Sequence, residues 1–171
     1  MGLHPAIVAR SSPQGGLGLF VTARIAAGDV IWYRDTDEEP ISLFVIRTWS
    51  PEQQQRFFAY AVQVSQDCYT GPRDGVVTDI ADYMNHSCDP NTWFLDDQTM
   101  TAMRDIEAGQ EIVYDYATSE SAEHFVLPCR CGSDGCRGTV RGSDYRNIPA
   151  LRERYGRHVL SHVLQSHAGL E

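Results

Sequence analysis

Three stretches of this chain carry side chains that can do chemistry. Cys129-x-Cys131-x4-Cys136 gathers three soft thiol ligands in one short loop. Gly132 and Gly135, inside that run, permit the tight backbone that wraps a metal ion. A structural zinc site prefers a tetrahedron of ligands, so one more thiol is needed. Cys88 and Cys68 are the spare candidates. Cys88 is the better one, because it follows a polar loop and not a strand-like segment. The competing reading is five reduced cysteines with no metal. Tyr114-x-Tyr116 lies in an extended run, where alternate side chains share a face. Two adjacent phenols can line a narrow slot and orient a polar group. A tyrosine of ordinary pKa, about 10, is a poor base at neutral pH, so alignment and support of developing charge suit it better.

The third stretch is Tyr83-Met84-Asn85-His86-Ser87-Cys88-Asp89-Pro90-Asn91, which packs an amide, an imidazole, a thiol and a carboxylate together. An asparagine presents a donor and an acceptor at once, which suits reading a polar edge or pinning a strained loop. Taken alone, His86 reads as a structural histidine, and the tyrosine pair as packed aromatics. No serine or cysteine arrangement for acyl transfer stands out, and Cys88 is assigned to metal. Asn85-His86-Ser87 has the form of a glycosylation sequon, which matters only in a secreted chain.

These stretches need elements to hold them. Residues 6–9 and 17–21 read as strands around a turn at Ser11 to Gly16. Gly16-x-Gly18 lacks the third glycine of a dinucleotide fingerprint, since Val21 stands there. Val30 to Tyr33 and Ile41 to Ile46 read as strands, with an acidic exposed loop at 34–40 between them. Ser50-Pro51-Glu52-Gln53 opens a helix, with Ser50 as N-cap and Gln53 answering it. Asn91 to Leu95 and Thr99 to Met103 form a hairpin, and Glu111 to Tyr116 runs extended. Residues 148–167 read as one amphipathic helix with Leu151, Tyr155, Val159, Val163 and Leu164 on its apolar side.

The totals set the class. The 171 residues, 42% hydrophobic and 22% charged, suit one soluble domain. No apolar run approaches the ~20 residues of a membrane span, and no basic-then-apolar leader opens the chain. An intracellular, cytoplasmic setting is expected, or a nuclear one in a eukaryote. A net charge of −9 argues against direct nucleic-acid binding and no membrane contact is expected. The same charge would attract a lysine-rich partner, although it also serves solubility alone.

Taken together, these residues resemble the SET-domain protein lysine methyltransferases. Gly16-Leu17-Gly18 is similar to the family's first motif, Asn85 to Asn91 to its central signature, and Glu111 to Tyr116 to its second signature. Cys129 to Gly138 resembles its post-SET segment. The resemblance implies a β-rich α+β fold of small sheets with a pseudoknot where the two signatures meet. It implies a SET domain at 5–118 with a helical insert at about 48–72, a zinc-binding segment at 125–141 and a C-terminal helical tail at 142–171. It implies S-adenosylmethionine as methyl donor, held by Gly16, Leu17, Gly18, Asn85, His86 and Tyr116. Tyr116 takes the place of the catalytic tyrosine. Tyr114 stands where the family varies between phenylalanine and tyrosine, and a tyrosine there implies mono- or dimethylation. Cys88, Cys129, Cys131 and Cys136 match the four-thiolate zinc site. The expected substrate is a lysine-containing protein or peptide. A small amine is the alternative acceptor, and a catalytically inactive scaffold that binds cofactor or a partner is the other alternative. The tail is expected to pack on the core or to pair two chains as a homodimer. The segment ahead of Asn85, Asp79 to Tyr83, lacks the aromatic-Gly-Asn lead-in of many histone-directed members.

Overall fold

The computed structural model describes residues 2–34 and 39–168, with backbone alone for 167 and 168. Of the acidic loop expected at 34–40, residues 35–38 lie outside the described residues, as do residues 169–171 of the tail. The first strands are β1 (Gly2–Leu3), β2 (Ile7–Ser11), β3 (Leu17–Val21) and β4 (Val30–Tyr33). The segment that contains the expected insert, called the insert below, follows: β5 (Ile41–Ser42), α1 (Leu43–Ile46), α2 (Pro51–Phe58), β6 (Val62–Ser65) and β7 (Cys68–Thr70). Then come β8 (Asn85–His86), β9 (Thr92–Phe94), β10 (Thr99–Ala102) and β11 (Glu111–Tyr114). The chain closes with β12 (Val126–Pro128), β13 (Thr139–Arg141), α3 (Asp144–Asn147), α4 (Pro149–Tyr155) and α5 (Ser161–Ala168).

The strands make small sheets ordered β1-β4-β10-β9, β2-β3-β11-β8, β5-β7-β6 and β12-β13. The second sheet organises the site. The β2–β3 hairpin turns through Gly15 and Gly16, both at positive φ (105° and 67°), where a side chain would be strained. β11 then pairs antiparallel with β3, Ile112 opposite Leu19, and parallel with β8, Val113 opposite Asn85 and Tyr114 opposite His86. The two signature stretches therefore meet strand to strand, where the pseudoknot was expected. Parallel neighbours cannot be joined by a tight turn, so a long excursion separates them, and the β9–β10 hairpin fills it.

One core holds these sheets together. Leu19, Ile31, Ile106 and Ile112 are fully buried there. From the tail, Leu151, Tyr155, Val159, Leu160 and Val163 join the same core. The apolar side of the tail thus faces this chain's own sheets. A satellite core under the insert gathers Ile41, Ile46, Phe57 and Tyr69. There the expected capping box forms as read: the Gln53 N–H donates to Ser50 Oγ, and the Ser50 N–H donates to Gln53 Oε1.

Three expectations are corrected. Ile41 to Ile46 is not one strand: the Ser42 side chain accepts the Val45 N–H and starts α1 at Leu43. β11 stops at Tyr114, because the Asp115 carboxylate accepts the Ala117 N–H and caps a 3-10 turn over Tyr116–Thr118. The helix expected over residues 148–167 is broken into two, α4 and α5, and α3 precedes them. Gly156, at φ 52°, ends α4, and Asp97 in the β9–β10 turn accepts the Ser161 N–H at 2.7 Å where α5 begins.

Candidate active site

Tyr116 sits where β8 and β11 meet, and His86 fixes it there. His86 is 4% exposed, and burial pushes its pKa down to about 4, so its ring is neutral at neutral pH. Its Nδ1 accepts the Tyr116 N–H at 3.1 Å. A neutral imidazole has one donor, so Nε2 carries the hydrogen and points it at Cys88 Sγ, 3.4 Å away. One ring therefore links the tyrosine to the thiol cluster. Both its nitrogens are engaged, so what His86 can offer a cofactor is its main chain. The Tyr116 hydroxyl donates to Met84 O at 2.9 Å.

The phenols of Tyr114 and Tyr116 lie 4.8 Å apart, centre to centre, at 41°. They still meet although Tyr116 has left the strand, because the 3-10 turn swings its ring back over β11. Together they wall a cavity of about 300 Å³ that is mostly apolar, with Phe58, Met84, Phe94 and Phe125 around it. The cavity runs between the signature strands, the insert and the segment leading to the cysteines. Burial raises the pKa of both phenols, so both stay protonated as hydrogen-bond donors. Tyr114 OH accepts a long hydrogen bond, 3.5 Å, from Ser119 Oγ.

The four expected thiols converge. The sulfur atoms of Cys88, Cys129, Cys131 and Cys136 lie within 4.8 Å of one another. Cys129 Sγ is 3.8 Å from Cys88 Sγ and 3.6 Å from Cys136 Sγ. A tetrahedron with Zn–S bonds of about 2.3 Å has sulfur–sulfur edges of about 3.8 Å, so the set fits zinc. Each thiol also accepts a backbone N–H. Arg137 donates to Cys88, Cys131 to Cys129, Cys88 to Cys131 and Gly138 to Cys136, at 3.4–3.5 Å. Such donors favour the thiolate that binds metal. Without a metal ion, burial still raises the pKa of Cys88 and Cys129, whereas for Cys131 hydrogen bonds from Ser133 and the Cys88 N–H outweigh burial and lower it. Cys68 lies apart on β7, and no disulfide forms among the described cysteines.

An ion-pair network joins the cysteine segment to the tyrosine turn. Asp115, 1% exposed, is gripped by Arg137 through two hydrogen bonds of 2.6 and 2.7 Å. Tyr155 from α4 donates to Asp115 Oδ2 at 3.0 Å. Arg137 Nε stands 3.2 Å from Asp144 Oδ2, close enough to pair but not aligned as a hydrogen bond. The tail also braces the turn after Tyr116. The Leu160 N–H donates to Thr118 O at 2.9 Å, and His162 Nε2 donates to Ser119 O at 2.8 Å.

The glycine motif stands beside Asn85. Asn85 Nδ2 donates to Leu17 O at 3.0 Å and to Glu111 Oε1 at 2.7 Å. A Cβ on Gly18 would run into Glu111 Oε1 and come within 2.8 Å of Asn85 Nδ2. Gly16 meets nothing within 4 Å. The backbone of Gly16 to Gly18 is thus pinned from one side and open on the other, a fit for a ligand that approaches main chain. Cys88, Cys129, Cys131 and Cys136 come together, Tyr114 and Tyr116 wall one cavity, and Asn85 contacts Leu17 and Glu111, while Cys68 stands apart.

Sequence reading missed four participants. Asp115 and Arg137 form the buried pair, and only their places, between two tyrosines and just after Cys136, could have flagged them. Gln63 is fully buried, and its Oε1 accepts the N–H groups of Ser121 (2.8 Å) and Ala122 (3.2 Å). Glu120 lines the cavity at 6% exposure, and burial pushes its pKa up to about 8. No sequence signal marks Glu120, which stands in a Ser- and Ala-rich run.

Comparison with known proteins agrees with this geometry. The family model described as SET domain matches residues 16–117, more than half of the chain. Histone-lysine N-methyltransferase ash1 of Drosophila melanogaster is 38% identical over 74 residues, 39% of this chain and 3% of its own length. An H3 lysine-4 specific histone-lysine N-methyltransferase of Mycosarcoma maydis is 31% identical over 134 residues, 74% of this chain and 9% of its own. Histone-lysine N-methyltransferase TRX1 of Oryza sativa subsp. japonica is 41% identical over 68 residues, 36% of this chain and 6% of its own. The chain spans less than a tenth of the length of these three relatives.

Proposed function

Because the chain belongs to the SET-domain family, we propose that it is a protein-lysine N-methyltransferase using S-adenosylmethionine. One observation carries the reading. The tyrosine at the family's catalytic position, Tyr116, stands with its hydroxyl anchored to Met84 O in the wall of a narrow aromatic cavity. Such a slot accepts a long aliphatic chain ending in a polar head, which is the shape of a lysine side chain.

The donor supplies an electrophilic methyl group on a sulfonium. Gly16, Leu17, Gly18, Asn85, His86 and Tyr116 would hold it, the glycines through main chain, as the open space at Gly16 suits. The protein's own work is mostly positioning, which can contribute several powers of ten in rate. Phe58, Met84, Phe94 and Phe125 cover the lysine methylenes and exclude water. Exclusion of water disfavours the ammonium and frees the nitrogen lone pair. Tyr116 and Tyr114, both kept protonated by burial, orient that nitrogen with hydroxyl groups. The Tyr114 hydroxyl occupies room that a third methyl group would need, which favours mono- and dimethyl products. Cys88, Cys129, Cys131 and Cys136 would hold a structural zinc ion that fastens Phe125 and Leu127, just ahead of the cysteines, over the cavity.

A lysine in a basic protein segment is the favoured acceptor. The charge of −9 attracts such a segment, and the relatives are named for histone lysines. The test is incubation of the zinc-loaded protein with labelled donor, core histones, other lysine-rich proteins and free amines. Mono- and dimethyl-lysine on protein is the expected product by mass spectrometry. Label on free amines alone, or none anywhere, contradicts the reading.

A further inference from the structure

The cavity beside Tyr116 holds a carboxyl group that methyl transfer by positioning alone does not require. Glu120 follows the 3-10 turn of Tyr116–Thr118, four residues after the tyrosine, and lines the same cavity as Tyr114 and Tyr116. Its residue is 6% exposed. Among the described residues its carboxylate accepts one hydrogen bond, a long one of 3.5 Å from the Gln63 N–H. A buried carboxylate normally gathers several donors or a cation. Meanwhile the backbone around it is held firmly. Gln63 Oε1 accepts the N–H groups of Ser121 and Ala122, and His162 holds Ser119 O. The protein thus fixes the main chain on both sides of Glu120 and leaves its head group mostly unsatisfied, at the cavity.

The substrate brings what this carboxyl lacks. A free lysine side chain, with a pKa of about 10.4, arrives as an ammonium carrying three N–H donors and no lone pair. Methyl transfer needs the lone pair. We propose that Glu120 is the proton acceptor for the incoming lysine: its carboxylate pairs with the ammonium in the cavity, takes one proton and leaves a neutral amine beside Tyr116. One N–H bond breaks and one O–H bond forms, while nitrogen keeps the electron pair. The methylated product leaves as an ammonium, and Glu120 returns its proton to water. This rests on the methyltransferase reading above and assigns the deprotonation within it.

The acid–base balance suits the task. Burial raises the pKa of Glu120 to about 8, between an ordinary carboxyl and an ordinary lysine. The raised carboxyl stands nearer in proton affinity to a lysine than an ordinary one does, which makes it the better general base for an ammonium. Tyr69 on β7, Tyr114 on β11 and Tyr116 face Glu120 electrostatically, and burial raises all three. Gln63 on β6 faces it as a neutral amide, Arg34 and Asp82 line the same cavity, and His162 on α5 is held neutral by burial.

The experiment compares the zinc-loaded wild type with Glu120→Gln and Glu120→Asp on a lysine peptide, following kcat/KM from pH 6 to pH 10, a range of roughly two units either side of the shifted carboxyl. Glutamine keeps the acceptor for the Gln63 N–H but cannot take a proton. The wild type should rise with pH and level off above about 8 as Glu120 ionises. E120Q should lose roughly 10²-fold at neutral pH and climb without levelling, its deficit shrinking toward pH 10 as the lysine sheds its own proton. E120D should keep the levelling at a lower rate. A peptide with a more acidic amine, such as the sulfur-for-methylene lysine analogue, should recover part of the E120Q loss. A direct readout is the infrared carbonyl band of a buried carboxylic acid, present in wild type at neutral pH, absent from E120Q and fading through about pH 8. If E120Q follows the wild-type pH profile, or if the band is missing, Glu120 is not the base. An active wild type with an unchanged E120Q overturns this assignment alone, whereas an inactive wild type overturns the methyltransferase reading and this one with it.

Discussion

Tyr116 owes its position to atoms far from it in sequence. Its N–H is held by His86 Nδ1, its hydroxyl by Met84 O, and the turn behind it by Thr118 O and Ser119 O bonding to the tail. Glu120 lies on the same turn but is energetically its opposite, a carboxyl that the fold keeps short of partners. That has a consequence for stability. Its folded pKa, about 8, is above the unfolded value of about 4.3. The protonated carboxyl therefore contributes stability that is complete below about pH 4, falls as pH rises and is gone above about pH 8. Glu120→Gln should match the wild type in melting temperature near pH 4 and exceed it at pH 9, by on the order of a few kcal/mol in stability. Thermal melts across that range check this, and a difference that does not vary with pH would contradict it. At this scale the sequence was uneven. The cysteine group could be read from type and spacing, and Tyr114, Tyr116, Asn85 and His86 only through the family resemblance of the motifs that carry them. Glu120 and Gln63 could not, because burial of a polar residue in a loop is a tertiary fact with no local signature.

The elements divide between those with local signals and those imposed by contact. The Ser50 capping box and the β9–β10 hairpin formed as their sequences say. The tail broke at Gly156, and α5 took its start from Asp97 across the hairpin, which no pattern within the tail reveals. The junction of elements at Arg137 matters most for stability. It ties the cysteine segment to Asp115 beside Tyr116 and to Asp144 on α3. Arg137→Met strands two buried carboxylates and should cost roughly 3–5 kcal/mol. Adding Asp115→Asn to it should restore part of the loss, since the two act as one unit. Denaturant unfolding of the single and double variants decides this, and a loss under about 1 kcal/mol for Arg137→Met would mean the pair behaves like a surface bridge. The thiol loop is the other such element. Metal analysis should find about one zinc per chain, lost in Cys136→Ser and kept in Cys68→Ser. Chelation should lower the melting temperature by roughly 10 °C. Zinc well below one per chain, or an unchanged melt after chelation, would contradict the four-cysteine site.

Over the whole molecule, one core joins sheets, turn and tail, so the cavity is shaped by segments from nearly the full chain. Its walls come from β4, the insert, β11 and the segment before the cysteines. No helix among the described residues is long and apolar enough to cross a membrane. The acidic charge of −9 gives association with a basic segment a dependence on ionic strength, since exposed charges are screened beyond about 10 Å at 0.1 M salt. The fold class was legible because four motifs occurred in one order along a single chain. The sheet order and the cavity were not, because they arise from pairings between residues that the sequence keeps apart. In the proposed function this cavity moves a methyl group onto lysine with Tyr116 as its key residue. The most direct test is mass spectrometry of a lysine-rich histone peptide after incubation with S-adenosylmethionine and either wild type or Tyr116→Phe, both zinc-loaded and both shown to be folded. Wild type should add one and then two methyl groups at lysine, and Tyr116→Phe should fall by roughly 10²-fold or more. Equal turnover by the two proteins, or no lysine methylation by wild type, would contradict the account.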